Sequence, residues 1–179
     1  MEARQFSAVS DFFKADPADG PNCLVLDVRM PGRSGLDLQR ELAAANRELP
    51  IIFMPAHADV PMTVQAMKGG ALEFLTKPFR DQDLLDAVAA GLARDRARRE
   101  SERALAALRE RFDTLSSRER DIMLHVVAGH LNKQTAGHIG IAESTVKVHR
   151  TNLMRKMKAR SLPELSRMAD MLNVRLPQP

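Results

Sequence analysis

Between Ser144 and Lys158 the chain places short hydroxyls, an amide, one valine and several cations at spacings that would put them on one helical surface. With successive residues about 100° apart, Val146, Leu153 and Met157 share one side as an apolar stripe. Ser144, Val148, Thr151 and Arg155 lie opposite, with Lys147 and Asn152 on the flanks. The major groove of DNA accepts such a face, because its base edges present acceptors, donors and thymine methyls, while phosphates on either side attract the cations. An ordinary amphipathic helix with solvated charges has the same spacing, and this segment alone leaves both readings open. A second pair lies in the other half of the chain: Asp27 ends the apolar run CLVLD, and Lys77 follows ALEFLT. An acid and a lysine brought to one rim could be a functional pair or a simple surface salt bridge, and spacing does not separate the two.

Both sets need elements to hold them. Upstream of the basic segment, Ser117 is placed to cap a helix running to about Val127, and Gly129 is the expected left-handed stop. Asn132 then begins a short helix to about Ile139, and Gly140 breaks it just before the basic helix. That is the short, glycine-containing connection of a helix-turn-helix. In the N-terminal half, the apolar runs CLVLDV, PIIFM and ALEFLT alternate with helix-length segments at Leu36–Leu42, Val60–Gly69 and Leu84–Leu92. This alternation predicts a parallel sheet with helices on both faces, whose chemistry collects at the carboxyl ends of the strands, where Asp27, Pro55 and Lys77 stand.

Charge divides the 179 residues in the same way. The overall formal charge of +4 conceals an acidic N-terminal half, net −4 over residues 1–93, and a basic remainder, net +8. An acidic module joined to a basic one suggests a regulatory part and a nucleic-acid part. Six of the seven Phe lie in the first half and there is no Trp or Tyr, so the basic half lacks the stacking platforms of a single-strand binder. Double-stranded DNA is the expected partner.

The pattern L-S-x-R-E-R, then N-K-x-x-A, then I-x-x-S-T-V-K-V-H-R resembles the LuxR-type DNA-binding domain of NarL/FixJ response regulators, from about Phe112 to Leu172. By that resemblance the DNA-binding set is Ser144, Thr145, Lys147, Val148, His149, Thr151, Asn152 and Arg155. His149 would make a backbone or phosphate hydrogen bond; a half-buried structural role is the alternative. The runs LDVRMPGRSGLDL and EFLTKPF resemble a response-regulator receiver domain over nearly all of residues 1–93. That likeness implies Asp27 as phosphoacceptor, a carboxylate nucleophile, with Lys77 neutralising the phosphoryl group. It further implies that the backbone at Arg29 helps Asp27 hold Mg²⁺, that Phe74 is the switch aromatic unless it is simply a core Phe, and that a sensor histidine kinase is the partner.

The departures from the pattern carry expectations of their own. The chain opens at ARQFS, which looks like a receiver's second strand, so the first strand, its helix and its acidic Mg²⁺-binding pair are expected to be absent; Glu2, Asp16 and Asp19 are not assigned to metal. Pro55 stands at the second switch position, where the family has Ser or Thr, and it offers no donor. Phosphoryl transfer relies on positioning and charge neutralisation, so impaired phosphorylation of Asp27 is expected. A truncated regulator and a pseudo-receiver kept for its contacts both fit. In the basic half, Thr135 replaces an aliphatic residue, Ala142 replaces a Ser cap, for which Glu143 or Ser144 could substitute, and Gly137 interrupts a helix. The last two changes should cost about 1 kcal/mol each.

Three segments follow: an α/β receiver domain with an incomplete doubly wound parallel sheet (1–93), a linker helix (94–111) continuing the last receiver helix as an exposed rod, and an all-α helix-turn-helix domain (112–179). The single Cys23, the lack of an apolar run near 20 residues and the absence of a secretory signal point to the cytoplasm. The five His show no zinc-like pairing with acids or cysteine. The expected function is a DNA-binding transcription regulator of a two-component phosphorelay, not an enzyme, forming a homodimer on DNA through the helix near Pro163–Asn173. The alternative is a truncated interaction module that titrates a kinase or a full-length regulator. An Asp-nucleophile phosphohydrolase is disfavoured, because Arg29 stands where such enzymes carry a second acid.

Overall fold

The computed structural model describes residues 2–15, 19–30 and 32–175; Asp16 and positions 176–179 lie outside them. The chain divides into two compact units, residues 1–100 and 101–179.

In the first unit, β1 (Leu24–Leu26), β4 (Ile51–Phe53) and β5 (Glu73–Phe74) form a parallel sheet in the order β1-β4-β5, with Leu26 opposite Phe53 and Phe53 opposite Phe74. All three residues of β4 are buried, as expected of a central strand covered on both faces. Leu26, Val28, Ile51 and Phe53 pack with Leu38 and Leu42 of α2 (Gly35–Ala44) and with Ala66 of α3 (Val60–Lys68). Residues 3–7, expected as a strand, are irregular, and α1 (Val9–Lys14) follows. A strand exists only against a partner, and among the described residues none lies beside this segment; Val9 and Phe12 of α1 pack against the core cluster instead.

The run after Asp27 explains its own composition. β2 (Arg29–Met30) and β3 (Arg33–Ser34) form a small antiparallel hairpin whose turn needs φ +81° at Gly32, a conformation open to glycine. Ser34 then closes a capping box with Asp37 at the start of α2. Gly35 passes so close to the Asp27 carbonyl and to the Phe53 ring that a Cβ could not fit without a shift.

Helix α4 is continuous from Asp81 to Asp113. It is less exposed than the sequence suggested. Asp95 is fully buried, receiving the Asn22 N–H at 2.8 Å and ion-pairing with Arg98 and Arg99 at 2.6 and 2.7 Å. This arrangement fastens the helix to the segment that leads into β1. Burial opposes ionisation of Asp95, but the hydrogen bonds from Asn22, Arg98 and Arg99 outweigh it and hold the carboxyl below its usual range. The same burial, with the Asp95 charge, pushes the Cys23 thiol up to about 11, which makes it a poor nucleophile. Farther along, Leu108 and Phe112 join the core of the second unit.

That second unit comprises α5 (Ser117–Val127), α6 (Asn132–Ile139), α7 (Glu143–Met157) and α8 (Leu162–Met171) around Ile122, Met123, Val126, Leu153, Met157 and Leu165. Ser116, one residue before the expected cap, forms the capping box of α5 with Glu119. Gly129 and Gly140 take the left-handed conformation at +87° and +69°, as their positions after α5 and α6 demand. No helix among the described residues is long and apolar enough to cross a membrane.

Candidate functional site

In the first unit, the ends of β1 and β5 bring Asp27 and Lys77 together across 50 residues of sequence, with Nζ donating to Oδ2 at 3.2 Å. The Arg29 backbone N–H donates to Asp27 Oδ1 at 3.0 Å. Lys77 is itself positioned by its backbone N–H, which donates to the Pro55 carbonyl at 2.9 Å. Both side chains of the ion pair are substantially exposed, 35% for Asp27 and 45% for Lys77, so it stabilises the fold by no more than about 1 kcal/mol. The rim position, not stability, gives the pair its interest. Phe74 is half-buried, its ring tilted at 45° on Phe53 with centroids 6.2 Å apart, which is a core placement. Pro55 is buried and presents only its carbonyl.

Mg²⁺ requires about six oxygen ligands, usually with one or two carboxylates among them. Here both Asp27 oxygens already accept protein donors, and among the described residues no group of three acidic, His or Cys side chains gathers around it. The residues present do not fit that ion.

The second unit carries the basic face. Val146, Leu153 and Met157 are fully buried, as the periodicity required. Opposite them Ser144, Thr145, Lys147, Val148, Thr151 and Arg155 are exposed, while His149 and Asn152 are half-buried. Val148 is 61% exposed on an otherwise polar surface. Lys147 has only a weak pair with Glu143 at 3.5 Å and Arg155 a long bond to Asn152 at 3.3 Å, so both cations can turn to another anion. Thr151 Oγ1 donates to the Lys147 carbonyl. Arg150, which the sequence reading did not single out, donates to Asn132 Oδ1 at 2.7 Å and so braces α7 against the start of α6.

Ala142 occupies the N-cap of α7 with no side-chain cap bond, so neither Glu143 nor Ser144 replaces the missing serine. Thr135 is fully buried and its Oγ1 has no hydrogen-bond partner. Such an orphaned hydroxyl costs about 1–3 kcal/mol. The L-S-x-R-E-R motif is structural: the buried Glu119 accepts from the Ser116 N–H at 2.8 Å and from Lys156 Nζ, on the last turn of α7, at 2.6 Å. Burial works against its charge, yet Lys156 and Ser116 together lower its pKa.

Comparison with known proteins agrees with this geometry. The response regulator receiver domain model matches residues 1–89, and the model of bacterial regulatory proteins of the luxR family matches residues 113–169. The chain belongs to the response regulators with a LuxR-type DNA-binding domain. Nodulation protein W of Bradyrhizobium diazoefficiens is 52% identical over 174 residues, covering 97% of this chain and 77% of that protein. Transcriptional regulatory protein FixJ of Azorhizobium caulinodans is 44% identical over 169 residues, covering 94% and 80%. The solved structure of response regulator StyR, at 46% identity, superimposes with a TM-score of 0.81 over 92% of this chain and 83% of StyR. As a member, the chain is a DNA-binding transcription regulator of a two-component system, and its family comprises regulators, not enzymes.

Three histidines meet one another in this unit, with no acid or cysteine in the set. His125, His130 and His138 converge, with the Nδ1 atoms of His125 and His130 only 3.0 Å apart. Burial, and then the charges of His138 and His130, push the pKa of His125 below the ordinary histidine value. Spacings of five and eight residues gave no helical or strand-like signal; the turn at Gly129 makes the encounter.

Proposed function

We propose that this regulator reads duplex DNA with the α7 face made of Ser144, Thr145, Lys147, Val148, Thr151 and Arg155, with His149 and Asn152 at its edges, and that its receiver unit accepts phosphate poorly. The exposed Val148 carries the first part: a large aliphatic side chain left in water between cations and hydroxyls has no role in the fold, and a thymine methyl is the complementary surface. Measured on the full chain with an operator selected from random duplexes, Lys147→Ala and Thr151→Ala weaken specific binding severalfold, and Val148→Ala relaxes discrimination at one base pair by about 1 kcal/mol. Unchanged sequence preference in all three variants would refute the assignment.

The second part rests on the Asp27 environment. Its oxygens are held by Lys77 and the Arg29 N–H, no acidic pair among the described residues completes a Mg²⁺ donor set, and Pro55 supplies no hydroxyl. A sensor histidine kinase remains the partner that a receiver unit implies, with slow transfer to Asp27. Incubation with a small phosphodonor and Mg²⁺ should leave the intact mass almost unchanged; rapid stoichiometric addition that disappears in Asp27→Asn would overturn this.

A single reading helix gives few contacts, and helix-turn-helix proteins commonly bind two half-sites as dimers. We place that pairing on α8, where Leu162 and Met171 are exposed; Leu165 faces the core and is fully buried. Domain limits of 1–93, 94–111 and 112–179 and a cytoplasmic location complete the reading. The alternative, an interaction module that titrates a kinase, predicts no sequence-selective DNA binding.

A further inference from the structure

We propose that His125, His130 and His138 form a binding site for a borderline divalent transition-metal ion, best matched to Zn²⁺, which clips the end of α5 to α6. The three residues come from separate places: the last turn of α5, the loop after Gly129 and the last turn of α6. Their ligand nitrogens all lie within 4.8 Å of one another. In a tetrahedral site with Zn–N bonds of about 2.0–2.1 Å, neighbouring nitrogens sit about 3.3 Å apart. The observed span, from 3.0 Å up to that limit, brackets this separation, so ring rotation suffices to close the set.

The chemistry of the cluster favours an ion over a purely structural packing. The ring centroids form a triangle 4.9–5.2 Å on a side, with His138 stacked on His125 and on His130 and the His125–His130 pair tilted. Two Nδ1 atoms face each other directly. A tautomeric hydrogen bond satisfies that pair but leaves His138 outside it, whereas one cation uses a lone pair from each ring. Three imidazoles without a carboxylate select Zn²⁺, Ni²⁺, Co²⁺ or Cu²⁺ over Mg²⁺ or Ca²⁺, which want oxygen. Asp121 stands one turn before His125 on α5, and its charge acts on that ring, a favourable setting for a bound cation.

His138 is exposed while the other two rings are half-buried, so the site opens to solvent on one side. Three protein ligands with an open fourth position describe an exchangeable site, not a closed structural one. Its mechanical effect follows from the neighbours. Helix α6 holds Asn132, which receives Arg150 of α7, so an ion that joins α5 to α6 restrains the platform on which the DNA-reading face sits.

The test uses the untagged full chain. Titration with Zn²⁺ after removal of bound metal should show one tight equivalent, raise the thermal transition of the C-terminal unit and be reversed by a chelator, while Mg²⁺ does neither. Substituting Co²⁺ should give the intense visible absorption of a four-coordinate centre. Both responses should vanish in His138→Gln, which changes an exposed side chain and should fold, and persist in His57→Gln in the other unit. Zn²⁺ binding that survives His138→Gln, the weak spectrum of a six-coordinate Co²⁺ ion, or no stoichiometric binding at all would each overturn the proposal.

Discussion

Raising salt from about 50 mM to about 200 mM should weaken binding of the full chain to duplex DNA by roughly a hundredfold to a thousandfold, the loss expected for about four to six neutralised phosphates. The reason lies in where the charge sits. Residues 94–179 carry the net +8, and on α7 Lys147 and Arg155 are exposed with only loose internal partners. Each phosphate that one of these cations neutralises releases condensed counterions, and that entropy disappears as the bulk salt rises. Fluorescence anisotropy on a labelled duplex across a salt series gives the slope. Lys147→Ala should make it shallower by about one unit, since it removes one phosphate contact; Val148→Ala should leave it unchanged because no charge is lost. A flat salt response in the parent chain would reject α7 as a DNA-binding surface.

Removing Glu119 should be the most damaging single change to the DNA-binding unit. Its carboxylate closes the capping box at the start of α5 and accepts from Lys156 at the end of α7, while lying almost wholly out of solvent. Loss of the cap costs about 1 kcal/mol. Breaking a buried pair from one side costs about 3–5 kcal/mol, but the Lys156 side chain keeps 32% exposure and can rehydrate, which places the total for Glu119→Ala near 3 kcal/mol. For a unit of this size that lowers the melting temperature by roughly 10–20 °C. The pH dependence has a definite sign. Because the folded carboxyl has a pKa below its ordinary 4.5, its stabilising effect is fully present above that value and is lost as pH falls through the lower folded value. The stability gap between parent and Glu119→Gln should therefore narrow on acidification. A double-mutant cycle with Lys156→Met should return a coupling above about 1 kcal/mol; coupling near zero would show the contact to be incidental.

These two results concern residues that the sequence treated very differently. The α7 face was legible because a helix repeats every 3.6 residues: once Val146, Leu153 and Met157 were taken as buried, the exposed set followed from the angle, and all three are buried. Gly129 and Gly140 were equally legible, since a left-handed stop after a helix has a strong residue preference. Alternating apolar runs likewise pointed to the parallel sheet and set Asp27 and Lys77 at strand ends.

What the sequence could not specify were encounters between distant segments. Glu119 was only one letter of the L-S-x-R-E-R pattern until the packing of α5 on α7 supplied Lys156. Asp95 lay in the segment expected as an exposed rod, but the fold presses it against the backbone of Asn22 and lets two arginines on its own helix close over it. Residues 3–7 looked like a receiver's second strand, yet strand structure depends on a neighbouring backbone. The histidine triad shows this most clearly, because three residues at unremarkable spacings became one cluster only when Gly129 reversed the chain. Local periodicity determined which surfaces face outward, and tertiary packing decided which charges and rings meet.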